Sequence, residues 1–260
     1  MASTTSPSPS AKPVPSLEGL HRVENRVSNS YVLRDPDGIY LIDTGFPESA
    51  KEIVSTLSSV TKGEKVPVRG ILLTHQHLDH VGGAARLHWL TDAPVSAHRF
   101  DTPAIEGVGP LVGPPLIVQL MRKPAVKVAN ILQNGDTVGP FTVFHVPGHT
   151  PGSVAYFHKA RGLLFTGDSL IVGKRGQPTL SRRNFSYDAE EAAVSMRKFA
   201  GLTIEALLPG HGEPITKGAS EQLASAVERL GKVETKEDKT FFGPDGRPEI
   251  HPGMPGWREG

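Results

Sequence analysis

Four apolar runs in this 260-residue chain each end on side chains that can ligate a metal ion. GILLT runs into His75, His77, Asp79 and His80, FTVFHVPG into His149, GLLFTG into Asp168, and EALLPG into His211. Loops at strand ends of a rigid scaffold are where α/β proteins usually assemble sites, so the pattern predicts that these ends converge. Three of the four sets directly follow a glycine, which lets the backbone turn tightly. Inside THQHLDH the spacing carries geometry. On a helix, positions 75 and 77 would point about 200° apart, whereas extended chain puts both on one side, able to grip one ion. His75 and His77 are therefore expected on extended or turn backbone. Asp79 and His80 open the following helix and face another direction, where they could serve a second ion. Singly, each residue has a structural explanation: Asp79 as a helix N-cap, His149 and His211 as turn residues, Asp168 as a turn carboxylate. Their joint placement has none.

Composition narrows the chemistry. Cysteine is absent, which removes disulfides, thiolate nucleophiles and Cys-based metal sites, so any metal must be held by His, Asp or Glu. The 28 Lys+Arg against 27 Asp+Glu leave a formal charge of +1, and no nucleic-acid partner is expected. The first seventeen residues, MASTTSPSPSAKPVPSL, lack the apolar core of a secretory signal, and no stretch reaches the length of a membrane span. A cytoplasmic protein without a membrane partner is the expectation. Residues 1–17 and 234–260 read as loosely ordered tails, by Ser/Pro content and by charge followed by Gly and Pro, leaving one domain over 18–233.

Within that domain SYVLR and IYLID flank the turn DPDG and predict a β-hairpin. SAKEIVSTLSSV places Ile53, Val54, Leu57 and Val60 on one helical stripe. Strands are predicted at VRGILLT, APVSAH, AVKVANIL, FTVFHV, SVAYF, GLLFT and IEALLP, and helices at VGGAARLHWL, DAEEAAVSMRKFA and SEQLASAVERL. Strands outnumber helices in both halves, which predicts a sheet-on-sheet core covered by helices. His21, His88, His98, His145, His158 and His251 read as surface or packing residues.

THQHLDH with VGG after it, PGHTPGS at 147–153, FTGDS at 165–169, PGHG at 209–212 and the earlier LIDTG at 41–45 together resemble the metallo-β-lactamase superfamily of metal-dependent hydrolases. The resemblance implies a four-layer αββα sandwich of two mixed β-sheets flanked by helices. It also implies a site for two divalent ions, usually zinc, where the sheets meet. By position, His75, His77 and His149 would hold the first ion and Asp79, His80 and His211 the second. Asp168 would bridge them, and Asp43 would support the site from behind, a position that a plain turn residue explains equally well. Imidazole and carboxylate suit zinc but also iron or manganese. Two ions roughly 3.5–4 Å apart share one water and lower its pKa to near 7, giving a hydroxide nucleophile. Asp79 would position that water or deliver a proton.

An aspartate at 168 resembles the lactonase, glyoxalase II and phosphodiesterase branches more than the β-lactamases. The chain lacks the Gly-Cys-Gly-Arg stretch and basic C-terminal region of glyoxalase II. The expectation is hydrolysis of a carboxylic ester or an acyl-homoserine-lactone-like lactone, with promiscuity toward other substrates. Thioester hydrolysis and β-lactamase activity are the alternatives within enzymes; a binding protein that kept the fold is the alternative outside them. Residues 107–121, GVGPLVGPPLIVQLM, are apolar and rich in Gly and Pro. They read as a loop on the core, a contact in a homodimer, or a lid or pocket wall suiting a small-molecule substrate with an apolar portion. Arg182, Arg183, Asn184 and Tyr187 are candidate substrate contacts, with exposed surface positions as the plainer reading.

Overall fold

The computed structural model describes residues 12–13, 17–112 and 125–232. Most of the two expected tails, and residues 113–121 of the apolar insert, lie outside the described residues. The first sheet has seven strands in chain order: β1 (Lys12–Pro13), β2 (Leu20–Asn25), β3 (Ser28–Asp35), β4 (Gly38–Ile42), β5 (Val68–Leu72), β6 (Val95–His98) and β7 (Asn130–Leu132). It is antiparallel from β1 to β4 and parallel from β4 to β7. The second sheet uses β8 (Thr137–Val138), β9 (Phe141–His145), β10 (Val154–His158), β11 (Leu163–Gly167) and, after the two-stranded β12 (Ile171–Val172) and β13 (Pro178–Thr179), β14 (Ala206–Pro209). Its order is β14-β11-β10-β9-β8, parallel only between β11 and β14.

Successive residues of a strand point to opposite faces, and here each face has its own apolar layer. Leu33, Tyr40, Ile42 and Leu72 of the first sheet meet Phe141, Val143, Tyr156, Phe165 and Leu208 of the second. Their neighbours Val32, Ile39, Leu41 and Ile71 pack outward on α1 (Ala50–Thr61) and, after the one-turn α2 (Leu78–Val81), on α3 (Ala84–Thr91). On the other side Ala155, Phe157, Leu164 and Leu207 meet Met196 and Phe199, which follow α5 (Ala189–Ser195), and Leu223 of α6 (Ala219–Leu230). The short α4 (Thr102–Ile105) follows β6. The architecture is the αββα sandwich of two mixed sheets.

The predicted helix VGGAARLHWL begins only at Ala84. A side chain at Gly82 would strike Pro47 and one at Gly83 would strike the Thr44 carbonyl, so the two glycines let α2 and its successor lie against the loop that follows β4. Strand β2 was not anticipated. Its polar residues mask the alternation, and Arg22, only 5% exposed, is buried by pairing with Glu213 at 3.0 Å.

Candidate metal centre

Strand direction brings the ligand-bearing loops together. β4 and β5 are parallel neighbours, as are β11 and β14, while β9 is two antiparallel steps from β11 and runs the same way. Asp43, His75, His149, Asp168 and His211 therefore all follow strands ending at one edge. Cross-sheet bonds fix that edge: Val154 N donates to Thr74 O at 2.9 Å, Asn29 N to Gly210 O at 2.7 Å, and the Tyr31 hydroxyl to Pro209 O at 2.7 Å.

His77 has extended backbone, φ −70° and ψ 145°, and the next residue starts α2. The turn thus aims His75 and His77 at one point and Asp79 and His80 at another. His77 Nδ1 lies 3.1 Å from His75 Nε2 and 2.9 Å from His149 Nε2. In the second group, His211 Nε2 lies 3.4 Å from His80 Nε2 and 3.3 Å from Asp79 Oδ2. The Asp168 carboxylate touches both: Oδ2 is 3.4 Å from His149 Nε2 and 3.1 Å from His211 Nε2, and Oδ1 is 3.3 Å from His80 Nε2. Ligand atoms about 2.0–2.2 Å from a zinc ion stand about 3.3 Å apart in a tetrahedron, close to these separations.

The far side of four of the five rings is engaged by oxygen. His77 Nε2 donates to Val112 O at 2.7 Å, His211 Nδ1 to Val27 O at 2.6 Å, and His80 Nδ1 to Asp43 Oδ2 at 2.8 Å. His75 Nδ1 lies 3.0 Å from Thr74 Oγ1, which gives its own proton to Asp43 Oδ2. Each such bond fixes the tautomer that leaves a lone pair facing the cluster. Asp43, at φ +55°, is both a turn residue and the hub of this support, accepting also from Thr74 N at 2.8 Å.

The electrostatics divide the site. Burial, reinforced by neighbouring imidazoles, holds His75 well below the usual histidine range, and burial leads in holding His149 down to about 3. Both are thereby kept in the neutral form that a metal ligand needs. At the other end burial opposes charge but loses to the carboxylates: Asp79 and Asp168 push His80 well above its ordinary value, and Asp168 pushes His211 up to about 10. In return, although burial works against them, Asp79 is lowered chiefly by His80, and Asp168 is lowered well below the carboxylate range by His211 and His80. Clustered carboxylates here demand positive charge, which protons or a cation can supply. Asp168 Oδ1 is buried without a well-aligned hydrogen bond. That orphaned oxygen, facing imidazole nitrogens, fits a divalent cation, and the all-N/O donor set fits zinc, iron or manganese.

The seven residues expected as ligands fall into overlapping clusters: His75, His77 and His149; His75, His80 and Asp168; Asp79, His80 and His211. The other described histidines lie elsewhere: His21 is on β2 opposite Val32, His88 Nδ1 meets Ala93 O at 2.8 Å, His158 meets Asp35 at 3.0 Å, and His98 stacks on His145 with centroids 3.9 Å apart; His251 is outside the described residues. Segment 181–188 borders the cluster, since the Ser181 hydroxyl bonds to Asp168 O at 2.9 Å and Tyr187 N to His149 O at 3.0 Å. Arg182, Arg183 and Asn184 are exposed there and Tyr187 is half-buried. Asp101, Val27 and Val112 have no motif to announce them, and Gln76, although inside THQHLDH, offers no metal-ligating chemistry; their contacts join positions far apart in the chain.

Fold and site together define a metal-dependent hydrolase. The profile described as "Metallo-beta-lactamase superfamily" matches residues 23–211, and the chain belongs to that superfamily. It is 30% identical over 247 residues to a Bacillus subtilis (strain 168) protein named "Probable metallo-hydrolase YflN", covering 83% of this chain and 92% of that one. Among solved structures it is similar to TTHA1623, described in a di-iron-bound form (28% identity, TM-score 0.59, 78% of this chain and 96% of that one). It is also similar to the B3 metallo-beta-lactamase BLEG-1 (28% identity, TM-score 0.60, 74% and 90%). No helix among the described residues is long and apolar enough to cross a membrane.

Proposed function

We propose that the protein is a dinuclear hydrolase of carboxylic esters or lactones carrying an apolar acyl part. The observation that carries the dinuclear reading is the single carboxylate, Asp168, standing within 3.4 Å of nitrogens from both ligand groups. His75, His77 and His149 would hold one ion, Asp79, His80 and His211 the other, with Asp168 shared. When bound, the ions supply Lewis-acid polarisation of the substrate carbonyl and a water of lowered pKa. The chain's part is placement and proton handling. Asp79 is held as a carboxylate and is still 17% exposed. It can orient the attacking water and relay that water's proton to the departing oxygen as the acyl C–O bond breaks. A carboxylate and a hydroxyl are the products. The apolar preference is supported by Val27, 62% exposed on the hairpin whose carbonyl supports His211, and by Phe185, 41% exposed in the segment bordering His149 and Asp168. Arg182, Arg183, Asn184 and Tyr187 of that segment are the proposed polar contacts.

A second reading, β-lactam hydrolysis, is favoured by the similarity to BLEG-1. Elemental analysis of purified protein, coupled to rates on acyl lactones, thioesters, β-lactams and phosphoesters, separates the two. Two metal equivalents and the highest kcat/KM on a lactone are expected. A single equivalent would end the dinuclear reading, and faster β-lactam or thioester turnover would end the ester and lactone one.

A further inference from the structure

Asp101, 1% exposed, is a buried carboxylate that the proposed reaction does not use. A carboxylate so deep is tolerated only when its lone pairs are satisfied, and here all the donors come from the two loops that deliver imidazoles. Oδ2 accepts from Gln76 N at 2.9 Å and the Thr150 hydroxyl at 2.6 Å; Oδ1 accepts from Gln76 Nε2 at 2.9 Å and Gly152 N at 2.8 Å. Gln76 stands between His75 and His77, and Thr150 directly follows His149. The packing leaves no slack, because a side chain at Gly152 would meet Asp101 Cγ at 2.6 Å. Gln76 extends the chain of contacts, its Oε1 accepting from Val112 N at 2.9 Å while Val112 O receives His77 Nε2 at 2.7 Å.

We infer that Asp101 is a positioning residue for the three-imidazole group, clipping the His75–His77 turn to the His149 loop so that the three nitrogens meet before an ion arrives. Asp43 does corresponding work for His80 and, through Thr74, for His75, so two buried carboxylates stand behind the cluster. This inference rests on the metal-centre reading given above.

Asp101→Asn keeps the shape but turns an amide NH2 toward two of the four donors. The test measures the melting temperature of the full chain with metal stripped and with zinc restored, together with the chelator concentration that removes the ion. Doing this in a His211→Ala background takes a side chain from the Asp79–His80–His211 group while leaving all three imidazoles of the His75–His77–His149 group in place. Loss of an outer partner of this kind typically weakens metal binding about 10–100-fold. The expected result is a chelator midpoint shifted by that factor and a smaller zinc-induced rise in Tm, since ligand stabilisation follows affinity. A merely structural role would lower both melts equally and leave the rise and the chelator midpoint unchanged, which would overturn the inference. If Asp101→Asn does not fold, Gln76→Met removes both of its side-chain bonds at nearly constant length and is read in the same way. Absence of zinc binding by the parent protein would instead overturn the metal-centre reading and this inference with it.

Discussion

Asp168 carries more of the site than any other single side chain, because its two oxygens face nitrogens on three loops. Asp168→Ala is expected to reduce bound metal below two equivalents and lower kcat by more than about 100-fold, since a ligand matters at least as much as an outer partner. His88→Ala serves as the comparison: its ring bonds to Ala93 O, away from the cluster, so metal content by elemental analysis should match the parent. At this scale the sequence was legible in the side chains that cluster and partly in the glycines before them. Gly148 and Gly167 have φ of +125° and +50°, in keeping with tight turns. Gly210 does not have positive φ; it is glycine because a Cβ there would fall against Asp168 Oδ1 and the His80 ring. That reason appears only when three strand ends are brought together.

Among the elements, α5 shows how a helix terminus supports the site. Asp188 caps it, Oδ1 accepting from Glu190 N at 2.8 Å and Glu191 N at 2.9 Å, while Asp188 N itself donates to Gly148 O at 2.8 Å beside His149. Asp188→Ala should cost about 1 kcal/mol of folding stability, as loss of an N-cap does, measured by urea denaturation. A cost near zero would mean that the cap is replaced by water. The hairpin β3–β4 and helix α1 were legible because turn chemistry and apolar period are local signals. Strand β2 and the break at Gly82–Gly83 were not, because their reasons, the Glu213 partner of Arg22 and the loop after β4, lie elsewhere in the chain.

For the molecule as a whole, pH dependence exposes the cost of buried imidazoles outside the cluster. His98 is held down to about 2 and His145 to about 4, in both cases chiefly by burial. A histidine with a depressed folded pKa contributes stability that is present above its unfolded value near 6.5 and is lost as pH falls toward the folded value. Metal-free protein should therefore lose Tm between about pH 6.5 and 4. His98→Asn, although less stable at pH 8, should show a shallower decline over that window. Parallel Tm–pH curves for the two proteins would show that His98 takes up no extra proton on unfolding.

The sequence by itself determined the two-sheet sandwich, the family and the identity of the seven clustered side chains, because periodicity, turns and short motifs are encoded within a few residues of one another. Only the tertiary structure decided which nitrogen of each ring faces the cluster, that Asp101 stands behind it as Asp43 does, and which small residues are required for space. Those properties depend on partners such as Val27 for His211 and Thr150 for Asp101, 184 and 49 positions away. Hydrogen bonding and close packing act through distance in space, and linear order carries no record of it until the strands have aligned.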